Sequence, residues 1–365
     1  MAYEDIGFGI IGCGVIAPTH RSAIADASGA KLVACCDVVQ EKAQKFAEDA
    51  GEGVRAYRNL EDMLKQDDVQ AVCVCTPSGL HAEHGIIAME AGKHVLSEKP
   101  MDITLKAIDA MIEAAERNDV KLSGVFQRRT YASSKKFREA VRSGKLGKLV
   151  LGDCYQKYFR SHEYYASGAW RATWDLDGGG ALMNQGVHGI DLLLYIMGDV
   201  KRLSAYARRL VRNIEVEDTA VAVLEFVNGA VGVIEGTTSV TPGYGCDIHV
   251  SGDNGTIKLV GDKIATWDIP GEEGAEAEGE GDKGTAADPT AGLTATGHTQ
   301  HITDLAAAIR EDREPEIPGR EARRAVEVIK AIYLSSREGG NTVEFPLSYD
   351  DDGPGIEPST TGMDW

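Results

Sequence analysis

Near its start the chain carries a short apolar run, Ile6–Ile11 (IGFGII), that stops on Gly12-Cys13-Gly14-Val15-Ile16-Ala17 and continues into the helix-like RSAIADA. A buried strand that turns on glycines straight into a helix leaves few architectures open. In such a turn Gly12 permits the tight bend, and Gly14 lets the backbone approach a pyrophosphate. Ala17 lets helix and strand pack closely, and the helix start offers N–H groups and a partial positive charge. Cys13, Val15 and Ile16 complete the loop. Asp37 ends the next apolar run, KLVACCD, about 20 residues on, where an acid binds ribose hydroxyls. An acid there repels a 2′-phosphate, and no arginine follows in CDVVQ, so the expected cofactor is NAD, with NADP the poorer fit.

Strand-like runs continue to alternate with helical ones: QEKAQKFAEDAG, DVQAVCVCTP, LHAEHGIIAMEAGK, HVLSEKP, LKAIDAMIEAAERND and VKLSGVFQRR. That alternation predicts an α/β fold with a doubly wound parallel sheet, a Rossmann arrangement. After Arg128 the pattern changes to longer alternating strands, and VNGAV and GDNGTIKL carry Asn-Gly hairpin signals. This predicts a C-terminal α+β domain with a large, mainly antiparallel open sheet. HITDLAAAIRED and GREARRAVEVIKAIYLSSREGG read as two late amphipathic helices. The expected domains are 1–126, 127–348 and an irregular tail, 349–365.

The chain has 365 residues and a formal net charge of -19. That acidity argues against nucleic acid or an anionic membrane as partner. Part of it is local, in GEEGAEAEGEGDKG (271–284), which reads as a solvated loop. Seven cysteines, an odd number set in apolar runs, suggest reduced thiols and a cytoplasmic location. There is no signal-peptide pattern and no apolar run long enough to span a bilayer. His81 with His84, and His298 with His301, have an i, i+3 spacing that a metal could use; neither pair has a clear third ligand, so no metal is expected.

Three stretches carry candidate chemistry. Lys99 in SEKPM follows the strand-like HVL, and ligands of open α/β sheets bind at carboxyl ends of strands. It suits proton transfer with a substrate oxygen if its pKa falls toward roughly 7–8; it also suits a rim lysine paired with Glu98. In YQKYFRSHEYYASGAWRATW, a strand would put Gln156, Tyr158 and Arg160 on one face. Aromatic rings with polar tips suit a sugar, and they equally suit a core. In GGGALMNQGVHGID, a helix would stack Asn184, His188 and Asp191 along one side. That stripe is either a buried histidine satisfied by its neighbours or a general acid/base facing a ligand.

Taken in order, GCGVIA, TPSGLHAEHGIIAMEAGKHVLSEKP, FQRR and GGGALMNQGVHGIDLLLYIMG resemble the Gfo/Idh/MocA family of NAD(P)-dependent oxidoreductases, over nearly the whole chain. The resemblance implies a Rossmann domain, and a second domain whose open sheet builds a homodimer or homotetramer. It also implies a carbohydrate or cyclitol substrate. It makes Lys99 the catalytic acid/base and His188 its partner on the substrate side. It places Thr76, His81, Glu98 and Gln127 near the cofactor and gives Trp170 and Arg171 a reach to cofactor or substrate. It also implies a cis Lys99–Pro100 peptide. Inositol-dehydrogenase-like members have aspartate where this chain has Asn184; asparagine can position a hydroxyl but cannot act as a base.

The resulting expectation is a dehydrogenase that oxidises a secondary hydroxyl of a sugar, glycoside or nucleotide sugar, with C3 a candidate carbon. Lys99, His188 and Asn184 carry the chemistry; Tyr158 and Arg160 join them in holding the substrate. Asp191 is expected to fix the tautomer of His188, and the three glycines to let the backbone approach closely. The alternatives are redox-neutral glycoside cleavage with NAD, an inositol-dehydrogenase-like or NADP-linked reductase, and a non-catalytic NAD sensor.

Overall fold

The computed structural model describes residues 5–272 and 295–348. Most of the acidic run and the tail from Tyr349 lie outside the described residues. The chain divides into two compact units, Met1–Gln127 with Thr294–Arg323, and Arg128–Leu293 with Arg324–Trp365.

In the first unit, β1 (Ile6–Ile11), β2 (Ala30–Cys36), β3 (Arg55–Tyr57), β4 (Ala71–Val74), β5 (His94–Ser97) and β6 (Leu122–Gly124) form one sheet in the order β3-β2-β1-β4-β5-β6. Every pairing in it is parallel. β1 and β4 are buried along their whole length, as strands covered on both faces must be. The strand order reverses between β1 and β4, and their carboxyl ends are where an open sheet binds ligands. β6 is shorter than the sequence suggests: Gly124 N donates to Ile317 O, and Gln127–Thr130 form a 3-10 turn.

The domain boundary also differs from the expected one. Thr294–Arg323 belongs with the first unit, not with 127–348. Helix Thr296–Glu311 buries Ile302, Leu305 and Ala306 in the same core as Phe8, Ala23 and Ile24. Arg310 adds a hydrogen bond to the carbonyl of Gly29. Helical periodicity made this segment amphipathic but could not say which sheet would receive its apolar face.

The second unit holds β7 (Leu149–Lys157), β8 (Val200–Arg208), β9 (Thr219–Phe226), β10 (Val231–Thr237), β11 (Gly245–Gly252), β12 (Gly255–Val260), β13 (Lys263–Asp268) and β14 (Val343–Glu344). Their order is β13-β12-β11-β7-β10-β9-β8-β14. Only β7–β10 pairs parallel, so the sheet is mixed and mainly antiparallel. β9 alternates buried and exposed residues, the mark of a sheet covered on one face. Helix Val187–Met197 covers β7 and β11 on that face. Met197 occupies the space where a Cβ on Gly152 of β7 would sit, which is how the helix comes so close.

Candidate active site

The first unit builds a bare backbone turn. Gly12 has φ 90, and a Cβ there would lie 2.9 Å from the carbonyl oxygen of Cys75, so only glycine fits. Gly14 and Val15 are exposed, and a Cβ on Gly14 would meet nothing within 4 Å. Asp37 fixes the turn: Oδ2 accepts from Cys13 N and Oδ1 from Val39 N, both at 2.9 Å. Helix Ala17–Asp26 then starts with Ile16 as its cap. An open, amide-lined turn on a helix start, with an acid at the end of the neighbouring strand, fits a dinucleotide. Gly12, Cys13, Gly14, Val15 and Ile16 would cradle its phosphates, and Asp37 its adenosine ribose.

Lys99 is half-buried, directly after β5 and before a cis peptide to Pro100. Its neighbour Glu98 is buried and does not form an exposed rim. Glu98 Oε1 lies 2.8 Å from His20 Nε2 and 3.2 Å from His298 Nε2, and Oε2 accepts from Lys99 N at 3.1 Å. Burial pushes the Glu98 carboxyl up, but the hydrogen bonds from the two histidines outweigh it and hold it well below the usual range. His20 is lowered, chiefly by burial against the gain from Glu98. The three ligand-type atoms lie within 4.8 Å of one another, a spacing a metal could also use. Two features favour shared protons. A 2.8 Å N–O separation is a hydrogen bond. Among the described residues Nδ1 of His20 and of His298 has no hydrogen-bond partner, whereas metal-bound histidines nearly always donate from the outer nitrogen. His298 thus works with His20, 278 positions away in sequence, through the carboxylate of Glu98. Burial lowers His301 to about 3.

Thr76 and Gln127 are both half-buried, Thr76 beyond β4 and Gln127 at the start of the 3-10 turn that follows β6. His81 is buried, with Nδ1 2.7 Å from Pro100 O and Nε2 2.8 Å from Thr76 O. Its ring nitrogens face the protein backbone.

In the second unit the Gly178–Gly180 run has a specific cause. A Cβ on Gly179 would lie 2.2 Å from the Tyr333 hydroxyl, and one on Gly180 1.9 Å from Glu217 O. The segment that follows is not a regular α-helix. Ala181–Gly186 is a π-helix, and α-helix Val187–Met197 begins after it. The expected single stripe from Asn184 to Asp191 is therefore broken between Asn184 and His188, because wider turns shift the angle per residue. Buried Glu217 anchors this bend. Its carboxylate accepts from Gly180 N, Leu182 N and Tyr333 OH, and its own carbonyl accepts from Ala181 N.

Burial outweighs those donors and raises the Glu217 carboxyl from 4.5 to about 7. A group raised on folding stabilises the fold fully below pH 4.5 and loses that contribution as pH rises through about 7. Tm measured against pH should thus fall across this window in the native protein. The Glu217→Gln variant should lack that component, worth on the order of 3 kcal/mol. Parallel Tm profiles for the two proteins would show that Glu217 does not titrate there.

Asn184 and His188 are half-buried. Asn184 Nδ2 donates to Asp177 at 2.7 Å, and its Oδ1 accepts from Gln185. Gln185 also donates to the Tyr164 hydroxyl and accepts from Arg160 at 2.7 Å. Arg171 donates to that same hydroxyl and stacks on Trp170 and Tyr164. Arg160 lies 5.5 Å over the rings of both Tyr158 and Tyr164. Asn184, Arg160, Tyr158, Trp170 and Arg171 thus belong to one polar and aromatic network. Tyr158 and Arg160 are buried within it, and burial lowers Arg160 from its usual value. β7 ends at Lys157, before Tyr158, so these side chains stand on the segment leaving the strand.

Asp191, expected to serve His188, is almost fully buried, and both its oxygens take the forked guanidinium of Arg129, at 2.8 and 2.6 Å. Sequence reading missed Arg129, Asp177, Gln185 and Glu217. Asp177, just before the glycines, and Gln185, beside Asn184, were visible as polar residues flanking an apolar segment. Arg129 lies within the FQRR motif with no role of its own assigned, and Glu217 gave no local signal.

The glycine turn, Asp37 and the strand-end lysine define a Rossmann-type oxidoreductase that uses NAD. Residues 6–126 match the oxidoreductase family with an NAD-binding Rossmann fold, and residues 134–258 match the GFO/IDH/MocA C-terminal domain. The myo-inositol 2-dehydrogenase of Thermotoga maritima is 33% identical over 68% of this chain and 73% of its own length. The D-glucoside 3-dehydrogenase of Escherichia coli is 29% identical over 63% of this chain and 70% of its own. Among solved structures, the WlbA dehydrogenase of Bordetella pertussis, in complex with NADH and UDP-GlcNAcA, is 34% identical with a TM-score of 0.82. That match covers 94% of this chain and 100% of the WlbA chain. The chain belongs to the GFO/IDH/MocA family of oxidoreductases.

Proposed function

We propose that the protein oxidises a secondary hydroxyl of a sugar, glycoside or nucleotide sugar, with nucleotide sugars the preferred class and C3 the preferred carbon. The observation that carries this reading is Lys99: a half-buried amine at the carboxyl end of β5, on a loop locked by buried Glu98. The WlbA complex with UDP-GlcNAcA supports the nucleotide sugar, and the D-glucoside 3-dehydrogenase supports C3.

NAD, when bound, supplies a hydride acceptor at nicotinamide C4. Lys99, as the neutral amine, takes the hydroxyl proton while the C–H electron pair leaves as hydride. His188 orients the hydroxyl or relays its proton. Asn184, held by Asp177 and Gln185, positions a neighbouring hydroxyl. Tyr158, Arg160, Trp170 and Arg171 supply ring faces and hydrogen-bond donors of the kind that bind sugars. On the sheet of the second unit, Val221, Val223, Val231, Val150 and Leu151 are exposed, which supports a homodimer or homotetramer built on that sheet. Unbridged cysteines support a cytoplasmic location. Among the described residues, no helix is long and apolar enough to cross a membrane.

The test is a rate comparison with NAD across UDP-sugars, UDP-sugar uronates, glycosides, free sugars and inositols. The highest kcat/KM is expected with a UDP-linked sugar. A preference for inositol would overturn the substrate class.

A further inference from the structure

His81 is the first residue of helix His81–Glu90, and its side chain is buried. Its two ring nitrogens lie 2.7 Å from Pro100 O and 2.8 Å from Thr76 O. Backbone carbonyl oxygens only accept hydrogen bonds, and a neutral imidazole has a single N–H. A neutral ring would therefore set one nitrogen lone pair against a carbonyl lone pair at hydrogen-bond distance. Only a ring protonated on both nitrogens satisfies both contacts.

The surroundings can hold that charge. Asp102 is buried and lies in electrostatic contact with His81; burial raises its carboxyl against the hydrogen bonds it accepts from Ala82 N, Ile103 N and Thr104 N and against the attraction of His81. The other histidine near by, His84, is turned to the Thr76 hydroxyl at 3.3 Å, and burial lowers it toward the neutral form. The two carbonyls belong to segments the proposed reaction needs in register. Thr76 follows β4 beside the Gly12 turn, whose Cβ position is filled by Cys75 and Thr76. Pro100 follows Lys99.

We propose that His81 is a buried imidazolium that donates from both ring nitrogens and acts as a positioning residue, tying the Lys99–Pro100 segment to the end of β4; its catalytic consequence rests on Lys99 being the proton acceptor. A ring of this kind contributes no atom to the reaction. It fixes where the Lys99 backbone stands relative to the cofactor turn.

The protonation claim is read directly on the full chain labelled with 15N-histidine, by long-range proton–nitrogen correlation at pH 7.5, with the His81 signals assigned by their loss in His81→Gln. Two protonated-type nitrogens are expected. One unprotonated nitrogen overturns the proposal. His81→Gln can make only one of the two donations. It is expected to lower kcat roughly tenfold to a hundredfold, the worth of a charge-assisted hydrogen bond, with NAD affinity changed less than about threefold. Unchanged kcat would overturn the positioning role. The spectrum is recorded without substrate, so it is independent of the Lys99 assignment. A doubly protonated ring combined with a fully active Lys99→Ala variant would remove the link to Lys99.

Discussion

Replacing Lys99 by alanine is expected to lower turnover about a hundredfold to ten-thousandfold, the usual contribution of a positioned acid/base. NAD affinity should change little, because the turn and Asp37 that fit the dinucleotide do not depend on the lysine side chain. Lys99 stands where a parallel sheet presents its ligands, and the segment behind it is unusually constrained. Glu98 is held by His20 and His298, and Pro100 O by His81. Such packing around a half-buried amine serves catalysis better than it serves a solvated rim. Steady-state kinetics with a cofactor-fluorescence titration check both halves of the expectation. Near-native turnover in Lys99→Ala would remove the lysine from the chemistry.

Replacing Arg129 by methionine is expected to cost about 3–5 kcal/mol of stability, because it strands a buried carboxylate. Asp191 is 1% exposed and Arg129 5%, and the guanidinium meets both carboxylate oxygens. Such a pair adds little over a well-packed apolar pair, but breaking it from one side leaves an uncompensated charge. Arg129→Met with Asp191→Asn should therefore recover much of the loss. Thermal unfolding of the two variants reads this. Asp191 lies three residues after His188 on the same helix, so the single variant should also disturb turnover. Equal stability of Arg129→Met and the native protein would mean that Asp191 is protonated or solvated.

The parts of this molecule that announce themselves in sequence are those made by neighbours along the chain. Gly12, Gly14, Ala17 and Asp37 sit within one strand-turn-helix-strand unit, and their spacing alone carries the cofactor fit. Lys99 follows its strand directly. The hairpin β9–β10 follows from period-two alternation and an Asn-Gly turn. Other features come from residues that meet only after folding. His20, Glu98 and His298 are drawn from three distant segments, so His298 reads in sequence only as one half of an i, i+3 spacing and His20 carries no signal at all. Tyr333 and Glu217 explain Gly179 and Gly180, yet neither is near them in sequence. The π-helix at Ala181–Gly186 has the same apolar pattern as an α-helix, and the wider turn is set by Glu217 gripping its first amides. Helix Thr296–Glu311 illustrates the same limit at larger scale: periodicity finds its buried face and says nothing of the sheet that covers it.

The proposed reaction is hydride transfer from a sugar carbinol to NAD. Its most direct test is a single incubation of the purified protein with NAD and the best substrate of the panel, following the NADH absorbance band and the product mass together. One NADH formed for each substrate consumed, and a product two hydrogens lighter, are expected. A cleaved glycoside with no accumulated NADH, or a product of unchanged mass, would contradict it.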